Sequence, residues 1–305
     1  MPKIAIIIPC YNEELTIANV ISDCKKYLPQ ADIFVCDNNS TDNTAKIAKE
    51  SGAVVMYEKR QGKGNAVRKL FRNVDADCYV MIDGDGAHPL NYVKEMCDFV
   101  LKGDADIVVG DRTDAYFNKN KRRFHNIGNR LVRLIINKIF KSNVRDIMSG
   151  YRVMSKFFVK SFPVLSEGFE IETEMTIHAL DKKFTIKEIP IDYNERPEGS
   201  FSKLNTFSDG FLVLKTIFSL FKNYKPFYFF SIIAFILFAV SMILFIPIFI
   251  EFLQTSKVPR YPTLIVSGAI ATMSLIMWIC GIILQTIVRK HNEIYELMLN
   301  QIKKQ

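Results

Sequence analysis

Over the first 110 residues, short apolar runs alternate with longer stretches whose apolar positions recur at helical spacing. Ile4 to Ile8, Ile33 to Cys36, Val54 to Tyr57, Cys78 to Ile82 and Ile107 to Val109 read as strands; Glu13 to Tyr27, Thr41 to Ser51, Gly64 to Asn73 and Pro89 to Lys102 read as helices. Such alternation predicts an α/β domain in which helices cover a mostly parallel sheet. Ligands of these sheets bind beyond the carboxyl ends of the strands, so the residues that follow each strand are the candidates for chemistry.

Beyond this domain the pattern changes. Residues 115–130 are polar and basic, with Lys119, Lys121, Arg122, Arg123, His125 and Arg130 leading into a helix at about 127–140. From Thr206 to Lys225 apolar residues recur near helical spacing, which suits an interfacial helix or an ordinary core helix. Phe227 to Ile250 and Leu264 to Val288 are runs of 24 and 25 residues without a charge. Each is long enough to cross ~30 Å of hydrocarbon. The expected organisation is a catalytic domain over 1–205, an amphipathic region over 206–226, two transmembrane helices within 227–288 and a tail over 289–305.

Charge orients the spans. Lys215, Lys222 and Lys225 precede the first and Arg289, Lys290, Lys303 and Lys304 follow the second, while the connecting segment holds only Lys257 and Arg260 against Glu251. The N-terminus lacks the basic and apolar pattern of a secretory signal, so the catalytic domain is expected in the cytoplasm. The net charge of +8 fits either a solvated basic surface or attraction to anionic headgroups and phosphorylated substrates. The six cysteines show no paired metal-binding spacing and read as structural. No nucleic-acid partner is expected, and two spans leave helix faces that can pack against copies of the chain.

Each strand end carries candidate chemistry. Glu13 and Asp37 offer acceptors for a ribose or the N–H edge of a base, whereas Ser40, Thr41 and Asp42 fit helix caps better. In Gly62-Lys63-Gly64 the glycines allow close backbone approach and Lys63 offers charge to a phosphate, but Val67 breaks the dinucleotide fingerprint. Asp83-Gly84-Asp85 sets two carboxylates one residue apart, a costly arrangement unless a cation or hydrogen bonds offset their repulsion. A divalent ion on a diphosphate answers that need, and a plain turn is the alternative.

Ile7 to Glu14, Asp37 to Thr44, Gly62 to Arg68, Asp83 to Pro89 and Val108 to Arg112 occur in this order before the paired spans. Together they resemble a family 2 glycosyltransferase of the polyprenyl-phosphate type, similar to dolichyl-phosphate mannose synthases and bacterial undecaprenyl-phosphate glucosyltransferases. Asp146 to Met154, Gly168 to Met175 and Glu188 to Leu204 extend the likeness over the chain. The resemblance implies a GT-A, Rossmann-like fold, a nucleotide-sugar donor, a polyprenyl phosphate acceptor, and Mg2+ or Mn2+ at Asp85 with Asp83 beside it. It implies nucleotide-sugar contacts from Pro9, Tyr11, Glu13, Asp37, Asn39, Lys63 and Gly84, and inversion at the anomeric carbon. Asp83, Asp85, Arg112 and Asp146 are the expected catalytic residues.

An ionised lipid phosphate needs no strong general base, so positioning and cations carry the reaction. Arg112, Arg122, Arg123, Arg196, Ser200, Ser202 and Lys203 are the candidates to hold it. One of Glu170, Glu172 and Glu174 is expected to hold sugar hydroxyls, unless all three serve the dipole of a helix N-terminus. Where relatives carry a glutamine as a further metal ligand this chain has Ala87, leaving His88 or water to substitute. A processive polysaccharide synthase is disfavoured because the sole tryptophan, Trp278, lies inside the second span. The strand-end carboxylates argue against a nucleotidyltransferase or a non-catalytic tethered subunit.

Overall fold

A computed structural model describes residues 2–113, 123–168, 170–192, 218, 222 and 224–302. The chain divides into two compact units, residues 1–209 and residues 210–304.

The first unit is built on β1 (Ile4–Cys10), β2 (Asp32–Asp37), β3 (Val54–Tyr57), β4 (Cys78–Met81), β5 (Ile107–Asp111), β6 (Arg152–Ser155) and β7 (Ile186–Pro190). They form one sheet in the order β3-β2-β1-β4-β6-β5-β7. All pairings are parallel except those of β6, which runs antiparallel between β4 and β5. The helices are α1 (Ile17–Tyr27), α2 (Thr44–Glu50), α3 (Lys63–Asn73), α4 (Val93–Leu101), α5 (Arg123–Phe140), α6 (Lys156–Ser161) and α7 (Ile171–Asp181). The sequence expectation of a mostly parallel α/β sheet holds.

Every residue of β1 is buried, which makes it a central strand with side chains alternating between two cores. Ile4, Ile6 and Ile8 pack with Ile17, Ile21 and Met96 on one side of the sheet. Ala5 and Ile7 join Val67, Leu70, Phe158 and Met175 on the other. Burial on both faces explains why these strands are continuous apolar runs. Because the parallel strands end on one edge, the segments after Cys10, Asp37, Met81 and Asp111 converge there.

Three expected helices start late, α2 at Thr44 where Thr41 was expected. Residues 13–16 form a turn in which the Thr16 and Ile17 N–H groups both donate to the Glu13 carbonyl, so α1 begins at Ile17. Ahead of α4, residues Leu90–Tyr92 form a 3-10 turn.

The second unit contains α8 (Pro226–Thr255) and α9 (Tyr261–Ile302), both long and apolar enough to cross a membrane. Only 17% of each apolar window is buried inside the molecule. A soluble core helix would hide more of that surface. The Ser241 hydroxyl donates to the Ser267 carbonyl at 2.9 Å and Ser274 to the Ala234 carbonyl at 2.8 Å, tying the helices together. Small residues at the contact allow that approach.

Candidate active site

The turns after β1 and β2 are bonded to each other. Asn12 N–H donates to Ser40 Oγ at 3.0 Å, Glu13 N–H to Thr44 Oγ1 at 2.8 Å and Glu14 N–H to Asp42 Oδ2 at 3.2 Å. In return Thr41 N–H donates to Asn12 Oδ1 at 2.8 Å and Asn43 N–H to Glu14 Oε2 at 3.0 Å. Asp42 also accepts the Thr44 N–H at 3.0 Å, so it serves the first turn of α2 as a cap while Ser40 and Thr41 hold the neighbouring turn. Asp37 is buried beside them; one carboxylate oxygen accepts the Ser40 N–H and Oδ1 has no partner among the described residues. An unpaired buried carboxylate oxygen is costly, and a ligand N–H or hydroxyl would satisfy it. Pro9 is buried at the end of β1 opposite Cys36, whereas Asn39 is exposed.

Asp83 follows β4 and takes part in a chain of ion pairs. Lys63 Nζ lies 2.5 Å from Asp83 Oδ1 and also pairs with Glu172 Oε1 in the first turn of α7. Burial works against the Lys63 ammonium, but the two carboxylates outweigh it and hold its pKa above the ordinary lysine value. Burial likewise raises Asp83; Lys63, with a contribution from His88, overcomes this and keeps the carboxyl ionised far below its usual range. A Cβ on Gly150 would run into the Asp83 carboxylate, which is why the chain after β5 can press against Asp83 only at a glycine.

The glycines of the 62–64 segment allow a close backbone approach, that of this chain's own residues 166–168. A Cβ on Gly64 would meet the Ser166 carbonyl and one on Gly62 the Glu167 carbonyl, so both make room for this chain's own backbone. Gly64 N–H donates to the Gly168 carbonyl at 3.2 Å and Asn65 N–H to the Glu167 carbonyl at 3.3 Å. Two N-terminal amides of α3 are thereby occupied, and the Lys63 ammonium pairs with carboxylates. Arg68 and Glu174 fix the docked segment: Arg68 donates to the carbonyls of Val164, Leu165 and Ser166, and Glu174 accepts the N–H groups of Leu165 and Ser166. Of the three glutamates that could not be separated in the sequence, Glu172 is the one at the site, Glu174 is structural and Glu170 is exposed.

Asp85 is buried, and its Oδ1 accepts the Ala87 N–H at 3.0 Å. Gly84 is fastened through its carbonyl, which accepts the Thr16 hydroxyl at 2.6 Å. His88 turns toward Asp83, its Nε2 3.6 Å from Oδ2, and its ring packs against Tyr151.

Arg112 and Asp146, expected as catalytic residues from separate motifs, meet. Arg112 Nε is 3.1 Å from Asp146 Oδ2, which also accepts the Arg112 N–H at 3.3 Å, and Arg112 Nη2 donates to the Met148 carbonyl at 2.7 Å. Arg145 pairs with Asp111 at 3.3 Å. Arg152, at the start of β6, is fully buried; it donates to the Ser149 and Ile147 carbonyls at 2.9 and 2.8 Å. Burial lowers its pKa to about 10. Sequence reading passed over Arg152, and its place directly after the apolar Tyr151 was the signal.

The turns after β1 and β2 thus bond to each other, Lys63 joins Asp83, and Arg112 joins Asp146, while Gly84 is fastened to Thr16 beside Glu13. Arg122, Arg196, Ser200, Ser202 and Lys203 lie outside the described residues, as does most of 206–226. Arg123 begins α5, where only the backbone is described.

Known proteins match this arrangement. The family described as Glycosyl transferase family 2 matches residues 5–162. Glycosyltransferase AglJ of Haloferax volcanii is 33% identical over 233 residues, covering 76% of this chain and 76% of its own length. Dolichyl-phosphate beta-glucosyltransferase of Saccharomyces cerevisiae is 26% identical over 223 residues, covering 63% of this chain and 67% of its own. Among solved structures, glucosyl-3-phosphoglycerate synthase from Mycobacterium tuberculosis, crystallised with Mn2+ and uridine-diphosphate-glucose, superposes with a TM-score of 0.58 at 22% identity over 72% of this chain and 78% of that one. With the sheet order, the strand-end carboxylates and a family match over more than half of its length, the chain belongs to glycosyl transferase family 2 and is a glycosyltransferase with a GT-A-like fold.

Proposed function

We propose that this enzyme transfers a hexose, with inversion, from a nucleotide-sugar, a UDP-sugar in preference, to a polyprenyl phosphate at the cytoplasmic face of a membrane. The observation that carries the reading is a family 2 catalytic unit continuous with two apolar helices whose side surfaces are open. An acceptor with a long apolar tail is found where those helices reside. The yeast relative, named for dolichyl phosphate, supports the same acceptor class. Lys222, Lys225, Arg289 and Lys290 at one end of the hairpin, against a Glu251–Arg260 pair near the other, support cytoplasmic catalysis.

In this reading Asp37 Oδ1 receives the base or ribose, with Pro9, Tyr11, Glu13 and Asn39 around it. Asp83 and Gly84 lie along the diphosphate-sugar. The hard oxygen donors of Asp85 and Asp83 fit Mg2+ or Mn2+. Both Asp83 oxygens already face Lys63 and His88, so Asp85 is the principal ligand. No third His, Cys, Asp or Glu joins them among the described residues, which suits a site completed by phosphate oxygens and water. A cation bound there supplies neutralisation of the departing diphosphate.

The acceptor phosphate is ionised at neutral pH and attacks without a strong base. Arg112, held by Asp146, orients it, and Arg122, Arg123, Arg196, Ser200, Ser202 and Lys203 complete its binding. The test is transfer of label from UDP-glucose, UDP-galactose, UDP-N-acetylglucosamine or GDP-mannose into organic-extractable decaprenyl phosphate by the full-length protein with Mg2+ or Mn2+. One donor should label the lipid, with loss of at least about a hundredfold in Asp85→Asn or with chelator. Absence of label with all four donors would sink the acceptor assignment.

A further inference from the structure

We infer that Glu188, the first residue of the Glu188 to Leu204 segment, is a positioning residue that sets the acceptor-phosphate cation Arg112 through Asp146; the inference rests on the function proposed above. Glu188 lies on β7 opposite Val109 of β5, two residues before the strand end that carries Asp111 and Arg112. Its carboxylate accepts the Arg145 N–H, at 2.8 Å to Oε1 and 3.0 Å to Oε2, and the Asp146 N–H at 2.9 Å. A single side chain therefore fixes two consecutive amides of a segment that has no strand or helix of its own.

Among the described residues, the groups that hold Arg112 hang from that segment. Asp146 Oδ2 takes the Arg112 main-chain and Nε protons, Asp146 Oδ1 accepts the Met148 N–H at 3.1 Å, and the Met148 carbonyl accepts Arg112 Nη2. Rotating the 145–146 peptide would move the carboxylate and the carbonyl together, and the guanidinium with them. A carboxylate is an expensive way to tie down a loop at this place. Burial, reinforced by Asp111 and Asp146, raises the Glu188 pKa, and the two amide bonds only partly offset it. The two strands are already joined by main-chain pairing, so the sheet does not need this acid. What the acid adds is strong, charge-assisted anchoring of the peptide next to Asp146.

The test uses the full-length protein in detergent, the donor that gives turnover among the four named above, and decaprenyl phosphate. Loss of an anchoring hydrogen bond to a charged group predicts that Glu188→Ala raises KM for decaprenyl phosphate about tenfold and changes KM for the donor by less than about twofold. Glu188→Gln, which keeps one acceptor oxygen, should fall between Ala and wild type; it carries the test if the Ala variant fails to fold. In an Arg112→Ala background either Glu188 substitution should add nothing to the acceptor KM, since the two act in series. Equal rises in both KM values, or additive effects in the double variant, would overturn the positioning role while leaving the proposed function standing. Wild-type protein inactive with every donor would overturn both.

Discussion

Replacing Lys63 with methionine removes the cation that holds Asp83 and Glu172 together while keeping most of the side-chain volume. The Lys63, Glu172 and Asp83 side chains are 10%, 5% and 24% exposed, so the carboxylates left behind are largely cut off from water. Breaking a buried ion pair by deleting one partner costs about 3–5 kcal/mol. For a unit of about 200 residues, at roughly 2–4 °C per kcal/mol, the melting temperature should fall by about 10 °C. The pH dependence follows in sign. With Lys63 present Asp83 has a depressed pKa, and its contribution is fully present above the ordinary carboxylate pKa. Without Lys63, the burial that works against the ionised Asp83 carboxyl is no longer outweighed, so the variant regains stability as Asp83 protonates, and its deficit should be smaller at pH 5 than at pH 8. A thiol-reactive dye suits the measurement, because Cys10, Cys24, Cys36, Cys78 and Cys97 are all buried in the catalytic unit. Turnover should fall by about a hundredfold, as expected for a misplaced group in a preorganised site. A melting temperature within 2 °C of wild type, or a deficit independent of pH, would refute the description of a buried triad.

Two further outcomes are expected. Gly150→Ala puts a methyl against the Asp83 carboxylate and should lower turnover by about tenfold or more in a protein that still folds, checked by steady-state rates beside a melt; unchanged rates would show that Asp83 need not stay where it is. His178 is packed among Phe158, Phe162 and Phe184, and burial, aided by Lys182, lowers its pKa to about 4. The unfolded chain therefore binds more protons between about pH 6.5 and 4, so up to about 3 kcal/mol of stability is present above that window and lost as pH falls through it, a slope that His178→Phe should flatten in melts across this range.

Much of the catalytic unit was legible because strands buried on both faces must be apolar throughout. Ile4 to Ile8 and Cys78 to Ile82 announce themselves, and the carboxylates after them stand out against that background. Arg152–Ser155 did not, since four residues led by an arginine have neither length nor period, and antiparallel insertion between β4 and β5 is decided by pairing over distance. Gly62 and Gly64 were read as allowing close backbone approach, and they do; that the backbone is the chain's own 166–168 segment is decided over a distance a sequence does not show. Glu170, Glu172 and Glu174 differ only by the turn of a helix, and one of them faces Lys63 because Arg68 and Glu174 dock the segment before it.

If the donor sits as proposed, the mutual bonding of the turns after β1 and β2 bears on how tightly it is held. Loops at a binding edge are ordinarily mobile, and a ligand loses affinity by stilling them. Here each turn is the other's splint, so Tyr11, Glu13 and Asp37 move as one body and arrive at the encounter already ordered. The same coupling ties their fates in engineering. An exchange at Asn12 or Ser40, made to alter one turn, will be felt in the other, so the two are better replaced as a unit.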